Sequence, residues 1–234
     1  MVRHQTGVAQ LVTSLEDGAA YVAKKINLGN LNEKERNAAL GEVATTQAEV
    51  LRCLQHPNIV AYRESLIEEG ELIIVMEYCE GGDMARQVKE HKDSGEMLSE
   101  AQIMTWFAQL CIALHYVHQK KVMHRDIKTS NVYLTRSGLV KLGDFGIAKV
   151  LENTADVAMT VVGTPYYMSP EVVENRPYSA KSDVWALGCI LYELCTLKHA
   201  FVADNLLGLV FKILRERYEA IPSVYSAEIS TLIK

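Results

Sequence analysis

No stretch of this 234-residue chain approaches the ~20 consecutive apolar residues that a bilayer span requires, and no apolar segment at its start reads as a signal peptide. The sequence is equally poor in clustered basic charge. With a net charge of -5 it lacks the dense Lys and Arg needed to neutralise a phosphate backbone, which argues against nucleic acid as a partner. Its five cysteines, Cys53, Cys79, Cys111, Cys189 and Cys195, show no metal-type pairing and sit mostly in apolar runs. They are expected to be reduced, mainly buried thiols of a cytosolic or nuclear protein. No repeat of ~20 to 50 residues is present, so a solenoid is excluded. No Pro/Gly/Ser-rich linker divides the chain, so any division lies within one folded unit.

What the chain does have is 49% apolar and 23% charged residues, the balance of a globular protein with a substantial core. From Val8 to Val75 the pattern is one of short β-like runs, VAQLV, AAYVAKKI, NIVAYRESLI and ELIIVMEY, punctuated by turn signals such as Glu16-Asp17-Gly18. These predict a small antiparallel sheet. A helical stretch from about Asn32 to Leu54 interrupts it, opening with an N-cap-like Asn followed by acidic residues. From Ser99 onward the period becomes helical, with Ile103, Trp106, Phe107, Leu110, Leu114 and Val117 spaced by three and four. Two strand-like pieces, NVYLT and LVKLGD, follow, then a long irregular segment and an apolar helix around Val184 to Leu197. This order predicts an α+β fold, a β-rich part joined to a helical part.

The chemistry is concentrated in four segments. His124-Arg125-Asp126-Ile127-Lys128-Thr129-Ser130-Asn131 is followed, 18 residues after Asp126, by Asp144-Phe145-Gly146. Then come Gly163-Thr164-Pro165-Tyr166-Tyr167-Met168-Ser169-Pro170-Glu171 and Ser182-Asp183-Val184-Trp185. An isolated Asp-Phe-Gly is more often just a turn. The whole set, in this order and spacing, resembles the catalytic domain of protein kinases, with its catalytic loop and metal-binding tripeptide. HPNIV, IVMEYCEGGDM, GTPYYMSPE, SDVWALGCILYELCTLKHAF and IPSVYS are similar to stretches of the NIMA-related (Nek) family of Ser/Thr kinases.

That resemblance implies a bilobal fold, with residues 1–79 forming the sheet lobe and hinge and residues 80–234 an incomplete helical lobe. It implies an ATP- and Mg²⁺-dependent transfer to protein Ser/Thr hydroxyls. Asp126 would accept or orient the substrate proton, Asn131 and Asp144 would hold the metal, and Lys128 would steady the γ-phosphate. Lys24 resembles the strand lysine that grips the α- and β-phosphates; strand alternation favours it over Lys25, because Val22 and Lys24 share a face. Val22, Ala9 and Tyr133 would sandwich the adenine, Met76 would be the gatekeeper, and Glu77 to Cys79 the hinge. Thr160 would be an activating phosphosite pairing with Arg125. Thr164 would brace the catalytic base, and Asp183 would anchor the catalytic-loop backbone.

The pattern departs from the family in three places. Aligned on Gly7, the first two glycines of the phosphate loop fall at Val2 and His4, and the strand before them is missing. The helix residue that pairs with Lys24 has two registers: counting 18 from Lys24 gives Glu42, and counting back from His56 gives Gln47. Leu51, one turn past Gln47, suits a buried spine position better than Thr46, one turn past Glu42, yet the forward count favours Glu42. The chain is expected to be clipped at both ends, ending before the arginine that pairs with Glu171, which would leave a buried carboxylate uncompensated. An inactive, pseudokinase-like binding module is the alternative to an enzyme. The family also suggests work at the cytoskeleton, centrosome, basal body or nucleus, and dimerisation through segments outside this sequence.

Overall fold

The structure is a computed structural model that describes residues 2–4, 7–27, 51–68, 70–145 and 165–234. Its first part is a five-stranded antiparallel sheet built from β1 (Val2–His4), β2 (Gly7–Thr13), β3 (Ala20–Asn27), β4 (Tyr62–Glu68) and β5 (Glu71–Glu77), in the order β1-β2-β3-β5-β4. β5 lies inside the sheet between β3 and β4, and Leu72, Ile73 and Ile74 form an unbroken buried run there instead of alternating with polar residues. Ile26, Leu51, Leu72 and Ile74 make the core of this part, with Tyr62, Met76 and Phe145 packed against it.

β1 covers two of the expected phosphate-loop positions. The residues at the first two expected glycine positions, Val2 and His4, lie in a strand that pairs with β2, Val2 opposite Ala9 and His4 opposite Gly7. Strand pairing needs only extended backbone, which Val and His adopt readily. Of the helix expected from about Asn32 to Leu54, residues 51–53 are helical; Glu42, Thr46 and Gln47 lie outside the described residues.

The second part is helical: α1 (Met84–Ser94), α2 (Glu100–Gln119), α3 (Pro170–Val173), α4 (Ala180–Thr196), α5 (Leu206–Leu214) and α6 (Ala227–Ile233). A two-stranded ribbon, β6 (Val132–Leu134) with β7 (Val140–Leu142), lies between α2 and α3. Ser99 caps α2 by accepting the Gln102 amide at 3.2 Å, and the six periodic apolar residues from Ile103 to Val117 are all buried. α4 opens with a capping box between Ser179 and Ser182, and its apolar face, including Ile190, Leu191 and Leu194, joins α2 in one core with Val132, Val140 and Leu142. α1 was not foreseen. Asp83 caps it through the Arg86 amide at 2.8 Å, but Met84 and Val88 are its buried residues, too few to produce an apolar period.

Among the cysteines, Cys79, Cys189 and Cys195 are buried, Cys111 is half-buried and Cys53 is exposed, all as free thiols. Glu171 also differs from expectation. It is half-buried rather than buried, and its carboxylate accepts a hydrogen bond from Ser182 Oγ, because the first turn of α4 brings that hydroxyl to it. This bond, with the backbone and Arg176, holds the Glu171 carboxyl below its ordinary range against the opposing effect of burial.

Candidate active site

A cleft of about 600 Å³ opens between the sheet and the helical part. β2 contributes Ala9 and Leu11, β3 contributes Val22 and Lys24, and Met76 to Cys79 form the rear and edge. Alternation on β3 explains the placement: Val22 and Lys24 line the cleft, whereas Ala23 between them is buried on the opposite face. Tyr133 and Asp144 form the floor. Gly7 lies in β2, two residues before Ala9.

The floor is clamped to the edge by backbone. Gly81 N donates to Leu134 O at 2.8 Å and Leu134 N to Gly82 O at 2.9 Å. A Cβ on Gly81 would sit 2.7 Å from Leu134 O, so the close approach requires glycine there. Val60, Gly82 and Asp83 also line the cleft. Sequence reasoning missed them; the Gly81-Gly82-Asp83 run, a turn signal ending in a helix cap, was the available clue.

At the deep end, Lys24 Nζ lies 2.7 Å from Asp144 Oδ1, although the two are 120 residues apart in the chain. Asp144 has φ +52°, and Tyr133 OH donates to its other oxygen at 2.9 Å. The catalytic-loop residues converge beside it. Asn131 Nδ2 donates to Asp126 O at 2.7 Å and to Asp126 Oδ2 at 2.8 Å, and Lys128 Nζ lies 2.8 Å from the same Oδ2. Gly143 N donates to Asn131 O at 3.0 Å, so the backbone that carries Asp144 is tied to the loop that carries Asp126.

Buried groups set this loop. His124 is fully buried, and its Nε2 is 2.9 Å from Gly143 O while its Nδ1 is 3.2 Å from Asp126 N. A carbonyl only accepts and an amide only donates, so the ring is the neutral Nε2–H tautomer. Burial pushes the His124 pKa down, in keeping with that state. Asp183, with no exposed side-chain surface, accepts from His124 N at 3.0 Å and His118 Nε2 at 2.8 Å through Oδ2. Its Oδ1 accepts from Arg125 N at 3.1 Å and Tyr178 OH at 2.5 Å. Arg125 has φ +68°, a conformation that turns both loop amides onto one carboxylate. Thr129 links the loop to α4, meeting Tyr167 OH at 2.9 Å and Glu193 Oε1 at 3.4 Å.

Of the expected site residues, Ala9, Val22, Lys24, Met76, Glu77, Cys79, Tyr133 and Asp144 are brought to this cleft, with Asp126, Lys128 and Asn131 bonded together next to it. The Cys79 thiol is pushed up to about 12, first by burial and then by the Glu77 charge, so it is a protonated, inert wall group. Glu77 turns its carboxylate away toward Lys141, leaving its backbone at the cleft edge. Thr160 and Thr164 lie outside the described residues.

Comparison with known proteins fits this geometry. A family model described as "Protein kinase domain" matches residues 4–233. The chain is 52% identical over 227 residues to serine/threonine-protein kinase Nek1 of Mus musculus, covering 97% of this chain and 18% of that protein. It is 51% identical over 233 residues to mouse serine/threonine-protein kinase Nek4, covering 99% of this chain and 28% of that protein. It is 45% identical over 228 residues to Homo sapiens serine/threonine-protein kinase Nek5, covering 97% of this chain and 31% of that protein. The chain thus spans less than a third of the length of each of these three relatives.

Proposed function

Because the chain belongs to the protein kinase family, and its Nek relatives are serine/threonine-protein kinases, we propose that its cleft transfers the γ-phosphoryl group of ATP to Ser/Thr hydroxyls of proteins. The observation that carries this reading is the convergence of Lys24 on Asp144 at 2.7 Å beside the hydrogen-bonded set Asp126, Lys128 and Asn131.

In this reading the adenine lies between Ala9 and Val22 above and Tyr133 below, against the backbone of residues 77–79, with Met76 behind it. Lys24 meets the α- and β-phosphates. Asp126 orients the attacking hydroxyl and takes its proton; Asn131 and Lys128, both bonded to its Oδ2, keep it pointed. Lys128 also offsets charge on the γ-phosphate as it moves.

Kinase chemistry uses a divalent cation, here proposed as Mg²⁺, and the residues present suit it. Asn131 commits its amide nitrogen to Asp126, which leaves its side-chain oxygen as the ligand atom, and Asp144 adds a carboxylate; hard oxygen donors match Mg²⁺. When bound, the cation neutralises charge on the phosphate oxygens.

Thr160 is proposed as a phosphorylation site whose phosphate pairs with Arg125, and Thr164 as a hydroxyl partner of Asp126. Loss of activity in Thr160→Ala, compared with fully phosphorylated parent protein, is the check; equal activity removes the idea. No helix among the described residues is long and apolar enough to cross a membrane. The family resemblance supports protein substrates at cytoskeletal structures, in cytoplasm or nucleus, and the net charge of -5 argues against a nucleic-acid partner.

The direct test is incubation of the purified protein with Mg-ATP and a generic basic protein, alongside Asp144→Ala, with phosphate incorporation read by mass spectrometry. Transfer by the parent that is lost in the variant is expected. Nucleotide-dependent thermal stabilisation without transfer would overturn the enzyme reading in favour of a binding module.

A further inference from the structure

Tyr133 occupies the middle of β6, between Val132 and Leu134, which are both buried on the other side of the ribbon. Its ring floors the cleft, and it can lie there because residue 143 has no side chain. A Cβ on Gly143 would come within 3.0 Å of the Tyr133 ring and 2.7 Å of Val60 Cγ2. A phenylalanine would fill the same floor. The hydroxyl is therefore not required for packing, yet it is directed at one atom, Asp144 Oδ2, at 2.9 Å.

Asp144 receives donors from two parts of the fold. Lys24 reaches Oδ1 from the five-stranded sheet, and Tyr133 reaches Oδ2 from the ribbon. A carboxylate held by one oxygen can still swing about its side-chain torsions; one held at both oxygens cannot. A carboxylate oxygen only accepts, so the phenol is the donor of this bond.

We propose that the Tyr133 hydroxyl is a positioning group for the metal-binding carboxylate: it holds Asp144 turned into the nucleotide cleft before any cation arrives. The inference rests on the reading above, that Asp144 ligates the cation. Pre-orientation lowers the ordering cost of cation binding. The oxygen that accepts the phenol retains a second lone-pair direction for the cation.

The test is Tyr133→Phe, with ADP affinity measured by titration calorimetry in EDTA and again in Mg²⁺. The variant keeps the ring, and each protein's own affinity in EDTA is the baseline; measured from it, the gain in affinity on adding Mg²⁺ shrinks about tenfold, equivalent to about 1.4 kcal/mol. Tyr133→Leu, which removes the ring as well, weakens ADP binding in EDTA but loses the same part of the Mg²⁺-dependent gain; it serves if the phenylalanine variant does not fold. An unchanged gain overturns the proposal, as does a larger one, which would make the hydroxyl a competitor of the cation. Asp144→Asn separates this outcome from failure of the underlying reading. If the parent protein itself shows no Mg²⁺-dependent gain, or Asp144→Asn leaves that gain intact, then Asp144 is not the ligand and the function proposed for it falls with the inference.

Discussion

Lys141 Nζ lies 2.8 Å from Glu77 Oε2, joining the end of β5 to the middle of β7 across the rear of the cleft. The same carboxylate oxygen accepts the Ala61 amide at 3.0 Å, and Glu77 N donates to Ala61 O at 2.9 Å. The edge proposed to meet adenine is thereby fixed from behind, by a lysine side chain only 10% exposed. A buried ammonium is costly unless paired, so each partner needs the other.

Removing either partner alone should therefore cost more than removing both. Glu77→Gln and Lys141→Met are each expected to lower the urea midpoint and weaken nucleotide binding several-fold. The double variant should recover part of the loss, with a coupling of about 1–3 kcal/mol. Strict additivity in the cycle would mean the pair does not brace the hinge.

Asp183 makes a sharper case. Its two oxygens take four donors with no exposed surface, so Asp183→Asn would aim an NH₂ group at two of them. Leaving buried donors unpaired is expected to cost about 3 kcal/mol, seen as a lower chemical-denaturation midpoint, together with a fall in turnover from a loosened loop. A loss below about 0.5 kcal/mol, the range of ordinary surface changes, would contradict the anchoring role.

His124 predicts a pH dependence. Its folded pKa lies below the ordinary value of about 6.5, so under acid the unfolded chain takes up the proton first. The contribution is fully present above pH ~6.5 and is lost as pH falls from there through the folded pKa. Protonation would also turn Nδ1 from an acceptor into a donor facing the Asp126 amide. Imidazole nitrogen NMR should show the Nε2–H tautomer unchanged between pH 7.5 and 6, with the melting temperature falling as the pH drops further. A His124 midpoint at or above 6.5 would refute this.

Short-range patterns carried much of the architecture in the sequence. Ser99 and the spaced apolar residues behind it marked α2, and the run from His124 to Asn131 marked a loop whose members bond to near neighbours. The relationships that escaped are long-range. His118 and Asp183 are 65 positions apart, and nothing in the local pattern around either signals the other. Glu77 fitted a hinge by its neighbours, but the direction of its side chain depends on Lys141, on a different strand. The Tyr133 hydroxyl was invisible for a related reason: an aromatic at that position satisfies the strand pattern with or without an oxygen. α1 escaped because most of its surface is solvated and polar, so burial left little trace in its composition.

The carboxylate of Asp183 also bears on how the molecule comes apart. It sits in the first turn of α4 yet grips the amide hydrogens of His124 and Arg125, so fraying of that helix start and opening of the loop are one event. Those two amides should exchange with deuterated solvent only at the pace of the whole helical part, which makes them reporters of its global opening.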